Sequence, residues 1–329
     1  MMMRDGRWAA LAAMTALTVS CSEGGSAPEA AGEYPTKEIR VIVPYTAGGP
    51  TDLAARTMGT HLERALGEPV VVENLPGAAG ALAMNELVGS EPDGHTLTLV
   101  AAPSTVVTPL IQDVSYGPDD FETIGVITEV PSVLTVGASS EFPDAAAFFD
   151  AARARPGELT VGTPGATTSQ GIELRRLASE YGVRVTVVPF NGNAELIQAL
   201  LGGTVDALLV NVSQDIRAQF DAGEFRPLAI SPAERVDYLP DTPTLAELGF
   251  PGLTYSTSLF GLGAPVGTPP EVIAELEETM RAGLADPALR TQLDEAYVPD
   301  EFIGATEFRT MLDEIVRVYG PVAQELRGG

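Results

Sequence analysis

Residues 39–52, IRVIVPYTAGGPTD, constrain the fold more than any other part of the sequence. Residues 41–43 are three consecutive β-branched side chains, which favour a strand buried on both faces, as in a parallel sheet. Pro44 ends this strand pattern, and apolar residues recur at helical spacing from Leu53 onward. The segment therefore predicts a strand, a short loop and a helix in succession, which is the repeating unit of an α/β fold.

The loop between this strand and this helix consists of small residues. Ala47, Gly48 and Gly49 leave backbone N–H groups uncovered by side chains. The helix start adds a partial positive charge, with Thr51 or Asp52 predicted as its cap. Together these groups favour a bound anion, and a carboxylate suits them as well as a phosphate. The alternative is an ordinary strand-to-helix connection, because the loop matches neither the P-loop nor the dinucleotide-binding pattern.

The same alternation of strand, small-residue loop and helix recurs along the chain. Helical patterns cover residues 81–88 and 145–154, and loops are predicted for AAPSTVVTP (101–109) and TPGATTSQG (163–171). The alternation predicts mostly parallel sheets flanked by helices. Two such modules would place facing sets of hydrogen-bond donors across a cleft.

The chain is strongly acidic, with 45 acidic and 19 basic residues among 329 and a formal net charge of −26. Lys and Arg form no cluster anywhere in the sequence. We therefore expect no nucleic acid and no anionic membrane surface as a partner. A small anion is still compatible with this charge, because distant carboxylates are screened beyond a Debye length of about 8 Å.

Side chains that carry out catalysis or bind metals are scarce. The sequence has two histidines and one cysteine, with no Cys/His metal spacing, no nucleophile elbow and no nucleotide-binding glycine motif. We therefore expect no enzyme activity, no metal and no cofactor. Loops rich in Gly, Ser, Thr and Asn would instead hold an anion through amide and hydroxyl donors.

The N-terminal residues resemble a bacterial lipoprotein signal. Two arginines precede an apolar run, residues 8–19, and Ser20 precedes the single cysteine, Cys21. The run is too short to cross a bilayer. It predicts a signal peptide (1–20), lipidation of Cys21 and a flexible tether (21–33). A leucine stands four residues before the cysteine instead of the usual three, so cleavage of a plain secretory signal is the alternative.

Five longer motifs follow one another between residues 34 and 326: YPTKEIRVIVPYTAGGPTD, VVVENLPGAAG with PDGHTL, VPFNGNAELIQALLGGTVDALLVN, RPLAISPAERVDYLPDTPTLAELGFPG and GAPVGTPPEVIAEL. In this order they resemble the substrate-binding proteins of tripartite tricarboxylate transporters, also called the Bug receptor family. The resemblance implies a two-domain periplasmic-binding-protein-like α/β fold, each domain a mostly parallel sheet flanked by helices, with a cleft between domains. It implies a domain 1 of residues 34–130 plus 227–329 and a domain 2 of residues 131–226.

The resemblance also implies a function. The protein would be an extracytoplasmic receptor that captures a small carboxylate, either a di- or tricarboxylate or an aromatic acid. It would deliver this ligand to the permease subunits of a tripartite tricarboxylate-type membrane transporter. We expect a monomer, lipid-anchored at the outer face of the cytoplasmic membrane or free in the periplasm. The alternative is a receptor of the same fold that presents its ligand to a membrane sensor kinase.

By resemblance, loops of both domains line the cleft. The small-residue loop of domain 1 would hold the carboxylate, and the hydroxyl-rich loop of domain 2 would face it. The predicted ligand-binding residues are Tyr45, Thr46, Ala47, Gly48, Gly49, Thr51, Asp52, Ser104, Gly165, Thr167, Thr168, Ser169, Pro189, Asn191 and Asn211.

Two positions depart from the family pattern. Gly171 stands where the second loop often ends with a histidine, and Leu259 replaces the first member of an aromatic pair before a glycine. We expect these two changes to alter the wall of the pocket and hence the choice of ligand.

Overall fold

The chain folds into two five-stranded sheets flanked by helices. The structure is a computed structural model that describes residues 34–328 except Thr167 and Asn191. The predicted signal peptide, the tether and Cys21 lie outside the described residues, as do the predicted ligand residues Thr167 and Asn191.

The described residues form ten strands and ten α-helices. The strands are β1 (Ile39–Val43), β2 (Val70–Asn74), β3 (Thr96–Ala102), β4 (Phe121–Val130), β5 (Ser132–Gly137), β6 (Thr160–Thr163), β7 (Thr186–Pro189), β8 (Ala207–Asn211), β9 (Phe225–Ile230) and β10 (Ser258–Pro265). The helices are α1 (Pro50–Leu66), α2 (Ala81–Val88), α3 (Ser104–Ile111), α4 (Ala145–Ala154), α5 (Ser169–Tyr181), α6 (Asn193–Leu201), α7 (Gln214–Asp221), α8 (Pro270–Leu284), α9 (Pro287–Leu293) and α10 (Ala305–Gly328).

The two sheets share one topology. The first has the strand order β2-β1-β3-β10-β4 and the second the order β7-β6-β8-β5-β9. In the first sheet β10 is antiparallel to both its neighbours, and in the second sheet β5 is antiparallel to both of its neighbours. The other four strands of each sheet run in one direction. The other pairs, such as β1 with β2 and β6 with β7, are parallel. Each sheet is therefore mostly parallel, as predicted, and we call the two halves the first lobe and the second lobe.

Strand β1 is buried on both faces, which is what its run of β-branched residues predicts. Val41 packs with α1, α8 and α9, and Ile42, which points to the other face, is also fully buried. A second cluster covers the opposite face of the first sheet with α2, α3 and α10. In α10 the residues Phe308, Leu312, Ile315 and Tyr319 are all buried.

The chain crosses between the lobes twice. The first crossing is at Pro131, between β4 and β5. The predicted second boundary near Arg226 is wrong, because Arg226 lies inside β9, an edge strand of the second sheet. Residues as far as Leu253 pack in the second-lobe core. The second crossing therefore lies between Leu253 and β10.

Segment 101–109, predicted as a loop, is mostly helical. Helix α3 begins at Ser104 and contains Pro109. A proline inside a helix leaves the carbonyl four residues earlier without its amide partner. Here that carbonyl belongs to Thr105, and it accepts a hydrogen bond from the Tyr116 hydroxyl at 3.0 Å. The Tyr116 hydroxyl therefore replaces the amide donor that the Thr105 carbonyl lacks within the helix.

Candidate functional site

The C-terminal edges of the two sheets meet where the chain crosses between lobes. Asn211, at the end of β8, donates from Nδ2 to the Ser258 hydroxyl at 2.6 Å and to the Val130 carbonyl at 3.4 Å. Ser258 begins β10 and Val130 ends β4, so both contacts join the second sheet to the first. The loops that follow β1, β3, β6 and β8 therefore open towards one interlobe cleft.

The loop after β1 is held in shape by Asp52. This side chain is 8% exposed, and its Oδ2 accepts the N–H of Gly48, a residue with φ +87°, at 3.0 Å. Arg56 donates to the same oxygen, and Asn74 donates to Oδ1 at 2.9 Å and to the Tyr45 carbonyl at 3.0 Å. The hydrogen bond from Arg56, with those from Gly48 and Asn74, lowers the pKa of Asp52 to about 2. Asp52 thus fixes the conformation of the loop through its hydrogen bonds with Gly48 and Asn74.

The start of α1 differs from its prediction. The helix begins at Pro50, its cap residue is Gly49, and within the described residues no side chain caps it. Thr51 and Asp52 lie in the first turn and are not caps, because proline extends the helix backwards by presetting its first φ angle. The first N–H groups of a helix lack internal partners. Those of Thr51 and Asp52 are therefore available to a ligand beside the exposed residues 46–48.

Asp52→Ala is expected to lower the free energy of unfolding at pH 7 by about 1.5 to 3 kcal/mol, the range for a hydrogen bond to a charged group. The loop would lose its anchor at Gly48. Chemical denaturation measures the change. Asp150→Ala is the control, because Asp150 is 80% exposed and pairs with Arg153 on the surface; its cost is expected to stay below about 1 kcal/mol.

The stabilisation by Asp52 also has a pH signature. The folded pKa of Asp52 is depressed to about 2 from an ordinary value of 3.8. Its contribution is therefore fully present above pH 3.8 and is lost as the pH falls towards 2. The difference in stability between wild type and Asp52→Ala should shrink across this window; a difference independent of pH would contradict this role.

Two further predicted residues of the first lobe lie close together. Tyr45 follows β1, and Ser104 is the first residue of α3. Burial raises the pKa of Tyr45, and a hydrogen bond with Ser104 offsets part of that rise. The structure thus brings the loops after β1 and β3 together at one end of the first sheet.

The facing loop of the second lobe is shaped by threonines. Thr168 caps α5, its Oγ1 accepting the N–H of Gly171 at 3.4 Å. The hydroxyls of Thr168 and Thr163 each donate to the Gly165 carbonyl at 2.9 Å. Gly165 has φ +141°, a conformation that favours glycine. The helix starts at Ser169, three residues earlier than predicted, so Ser169 and Gly171 belong to its first turn.

Gln170 is a site residue that the sequence did not reveal. It is buried in the first turn of α5, and its amide donates to the Ser132 hydroxyl at 2.9 Å and to the Asn211 side chain. Ser132 also donates to the Ser256 carbonyl at 2.7 Å. Asn211 therefore joins the two lobes as well as lying at the cleft. Gln170 precedes the predicted start of the helix, so no periodicity signal pointed to it.

The remaining predicted residue of the second lobe, Pro189, is exposed at the end of β7. Gly192, with φ +155°, leads from there into α6. Asn193 at the start of this helix donates to the Ser213 hydroxyl at 2.8 Å and to Asp215 at 3.1 Å. The loops after β7 and β8 are thus tied together beside Pro189.

A cavity of about 780 Å³ lies elsewhere, at the β4 and β9 edges of the two sheets. None of the predicted ligand residues lines it, and Leu259, one of the two departures from the family pattern, does. Its charged walls are mainly acidic, which disfavours an anion there. They comprise Glu129, Asp237, Glu295, Asp300 and Glu314 against Arg235 and Arg290. We therefore assign the candidate site to the interlobe cleft.

The part of the chain that the structure describes holds no group of three His, Cys, Asp or Glu side chains placed to bind a metal ion. Over the same residues no helix is both long enough and apolar enough to cross a membrane.

Comparison with known proteins decides the family. The sequence model of the family described as "Tripartite tricarboxylate transporter family receptor" matches residues 54–327 of the chain. The chain belongs to this receptor family. BugT of Bordetella pertussis is 31% identical over 269 residues, which cover 81% of this chain and 82% of BugT. The predicted family is therefore confirmed.

Solved structures of similar proteins agree with the fold of this receptor. MatC from Rhodopseudomonas palustris, with bound malate, has a TM-score of 0.72 and 27% identity, covering 88% of this chain and 100% of MatC. Another R. palustris structure, with adipate, has a TM-score of 0.74 and 29% identity, covering 90% and 98% of the two chains. The predicted periplasmic-binding-protein-like fold is thus confirmed.

Proposed function

We propose that this receptor captures a small carboxylate in the interlobe cleft and delivers it to a tripartite tricarboxylate-type membrane transporter. The ligand class is a di- or tricarboxylate or an aromatic acid. The observation that carries the proposal is the pair of small-residue loops, 44–49 and 164–168, that follow the C-terminal ends of β1 and β6 and lead into α1 and α5. Similar proteins of the family hold malate and adipate.

The uncapped start of α1 supports an anionic ligand. It offers N–H groups and the positive end of the helix dipole beside the exposed Thr46, Ala47 and Gly48. The Gly48 N–H is already taken by Asp52. In this proposal the ligand carboxylate is bound by the other amides of the loop and by the hydroxyls of Thr46 and Thr51.

The strength of such contacts suits capture and release. A hydrogen bond to a charged group contributes about 1.5 to 3 kcal/mol. Three or four of them total about 4.5 to 12 kcal/mol. The cost of ordering the loops and closing the cleft reduces this to a net free energy of binding of about −5.5 to −8 kcal/mol, which is a dissociation constant of about 1–100 μM. A receptor that must release its ligand to a permease works in this range.

The first test is calorimetric titration of the protein from Ser22 onward with mono-, di- and tricarboxylates and aromatic acids. We expect a dissociation constant of about 1–100 μM for at least one of them. Gly49→Val should weaken this binding at least tenfold, about 1.4 kcal/mol, because the added side chain stands in the loop. Gly49 has φ −86°, and a Cβ there meets only the Thr46 carbonyl oxygen at 3.8 Å, so the variant should fold.

Gly137→Val is the matched control. Gly137 is the last residue of β5, which runs antiparallel to its neighbours, so it lies at the end of the second sheet opposite the cleft. A Cβ there meets only the Leu200 carbonyl oxygen at 3.9 Å. This variant should bind like wild type. No binding across the panel, or equal binding by the Gly49 and Gly137 variants, would overturn the carboxylate proposal.

Delivery and location are separate parts of the proposal. Membrane vesicles that contain the cognate permease should take up the labelled ligand only when the receptor is added; ligand binding without uptake would favour the sensing alternative.

We also propose, from residues 1–21 alone, that Cys21 is lipidated. Cys21→Ser should then move the protein from the membrane fraction to the soluble periplasmic fraction, and unchanged fractionation would indicate a plain secretory signal.

A further inference from the structure

Helix α5 belongs to both lobes. Its residues Leu174 and Leu177 are buried in the second-lobe core. Ile172, two residues before Leu174, is fully buried in the first-lobe core with Phe308 and Leu312 of α10. The helix that carries the second-lobe ligand loop at its N-terminus is therefore packed against the last helix of the first lobe.

Glu173 joins three parts of the chain through hydrogen bonds. Its side chain is 1% exposed. Oε1 accepts from the Tyr319 hydroxyl of α10 at 3.0 Å and from the backbone N–H of Tyr255, in the second crossing, at 3.1 Å. Oε2 accepts from Arg176 of its own helix at 3.0 Å. One carboxylate thus ties α5, α10 and the second crossing together.

Arg176 completes the cluster. It donates to the Gly252 carbonyl at 2.7 Å and to Glu180 at 2.8 Å, and its guanidinium lies 5.8 Å from the ring centres of both Tyr255 and Tyr319. Around these residues, Tyr255 donates to Glu314 at 3.0 Å. The charged and titratable groups that face Glu173 are therefore Arg176 and Glu180 on α5, Tyr255 in the crossing with its partners Glu314 and Arg317, and Tyr319 on α10.

The cluster lies directly behind the ligand loop. Glu173 follows Ser169 by four residues, which places both on one face of α5. Thr168 caps the same turn, and Gln170 ties it to Ser132 and Asn211. A displacement of Glu173 would therefore move the residues that face the first-lobe loop.

We propose that Glu173 is a positioning residue for the ligand site: its ionised carboxylate fixes the first turn of α5 to α10 and to the second crossing, and the lobes close on ligand about this point. This inference rests on the proposed function, because it explains how the cleft reaches its binding geometry. The carboxylate does not touch the ligand. It acts through Thr168, Ser169 and Gln170.

The ionised form accepts from three donors at once, whereas a protonated carboxyl must give up part of that capacity. Burial raises the pKa of Glu173 to about 7, against the opposing effect of Arg176, Tyr319 and the Tyr255 N–H. Its protonation therefore falls in the neutral range, where a monocarboxylate ligand itself does not titrate. Ligand binding should consequently weaken as the pH falls through 7.

The test is the dissociation constant of the best carboxylate from the panel, measured from pH 8 to pH 6. For wild type we expect a rise of about fivefold or more as Glu173 protonates. Glu173→Gln should bind about five- to tenfold more weakly at pH 8 and should show no such rise. Tyr319→Phe, which keeps the ring and removes one donor, should weaken binding in the same direction. A merely structural role would lower stability without changing the pH profile.

Glu180→Gln is the matched control, because Glu180 also pairs with Arg176 but is 43% exposed. It should keep the affinity of wild type at pH 8 and should still bind more weakly as the pH falls, with the fall moved to lower pH because the Glu180 charge raises the pKa of Glu173. Wild-type affinity or an unchanged pH profile in Glu173→Gln would overturn the proposal.

A measurement without ligand separates this inference from the proposed function. Hydrogen exchange at the amides of residues 169–173 should become about tenfold faster in Glu173→Gln, with the amides of β1 and β6 unchanged. If no carboxylate binds but exchange accelerates in this way, the anchoring role stands and the proposed ligand class fails. If a carboxylate binds and exchange is unchanged, the anchoring role fails alone.

Discussion

Arg176→Ala is expected to lower the free energy of unfolding by about 3–5 kcal/mol, the cost of removing one partner from a buried ion pair. Arg176 and Glu173 are 5% and 1% exposed, and the arginine also holds the Gly252 carbonyl. The variant would leave a buried carboxylate without its cation. Because a domain is stable by only about 5–15 kcal/mol, this is the largest stability effect that we expect from a single substitution. Chemical denaturation at pH 8 measures it.

Two comparisons test the reason for this loss. Arg155→Ala should cost less than about 1 kcal/mol, because Arg155 pairs with Glu141 on the surface, where the two side chains are 41% and 67% exposed. Adding Glu173→Gln to Arg176→Ala should restore part of the stability, since it removes the unpaired charge. A loss for Arg176→Ala no larger than that for Arg155→Ala would contradict the buried-pair account.

The pH dependence of stability follows from the same pair. The folded pKa of Glu173 lies near 7, above the ordinary value of 4.5. The folded state therefore binds the proton more tightly than the unfolded state, and the contribution of Glu173 to stability falls as the pH rises from 4.5 to about 7. The destabilisation by Arg176→Ala should accordingly be smaller at pH 6 than at pH 8, because protonation removes the unpaired charge.

Gly171→Ala is expected to weaken ligand binding at least tenfold, about 1.4 kcal/mol, and to cost about 1–3 kcal/mol of stability. A Cβ at Gly171 would lie 2.5 Å from the carbonyl oxygen of Ala166 and 2.8 Å from that of Gly165. These are backbone atoms, so the second-lobe loop itself must move. Titration with the ligand that binds wild type, together with thermal denaturation, measures both effects.

Gly137→Ala is the control for this substitution, because a Cβ there meets only the Leu200 carbonyl oxygen at 3.9 Å. It should bind ligand like wild type, with a change in stability within about 0.5 kcal/mol. Wild-type affinity in Gly171→Ala would show that the loop adapts without affecting the cleft.

The same contact explains the departure at Gly171. The family pattern often has a histidine at this position, yet the course of residues 165–166 leaves no room for any side chain there. The second-lobe loop of this chain is therefore packed onto the first turn of α5. The other departure, Leu259, is buried between β3 and β4 and lines the cavity away from the candidate site. Of the two, we expect Gly171 to bear on the ligand.

The spacing of apolar residues in the sequence was enough to predict the strands and helices that are buried on one face or on all faces. The β-branched run of β1 indicated burial on both faces, and the apolar spacing of α2 and α4 located these helices. The small-residue loops after β1 and β6 were also evident, because glycine and hydroxyl side chains mark strand-to-helix connections. These features depend on residues close in sequence, which is why periodicity records them.

Tertiary structure alone decided the parts that depend on distant partners. Helix α3 contains Pro109 because Tyr116 binds the carbonyl left free, and β9 pairs with β5 although its sequence is compatible with either sheet. Glu173 looks like an ordinary charged helix residue until Tyr319, 146 positions away, donates to it. The sequence by itself determined the family, the α/β elements and the candidate loops, because local spacing reports which faces are buried. Only the fold decided what covers those faces, since partners far apart in the chain leave no periodic signal.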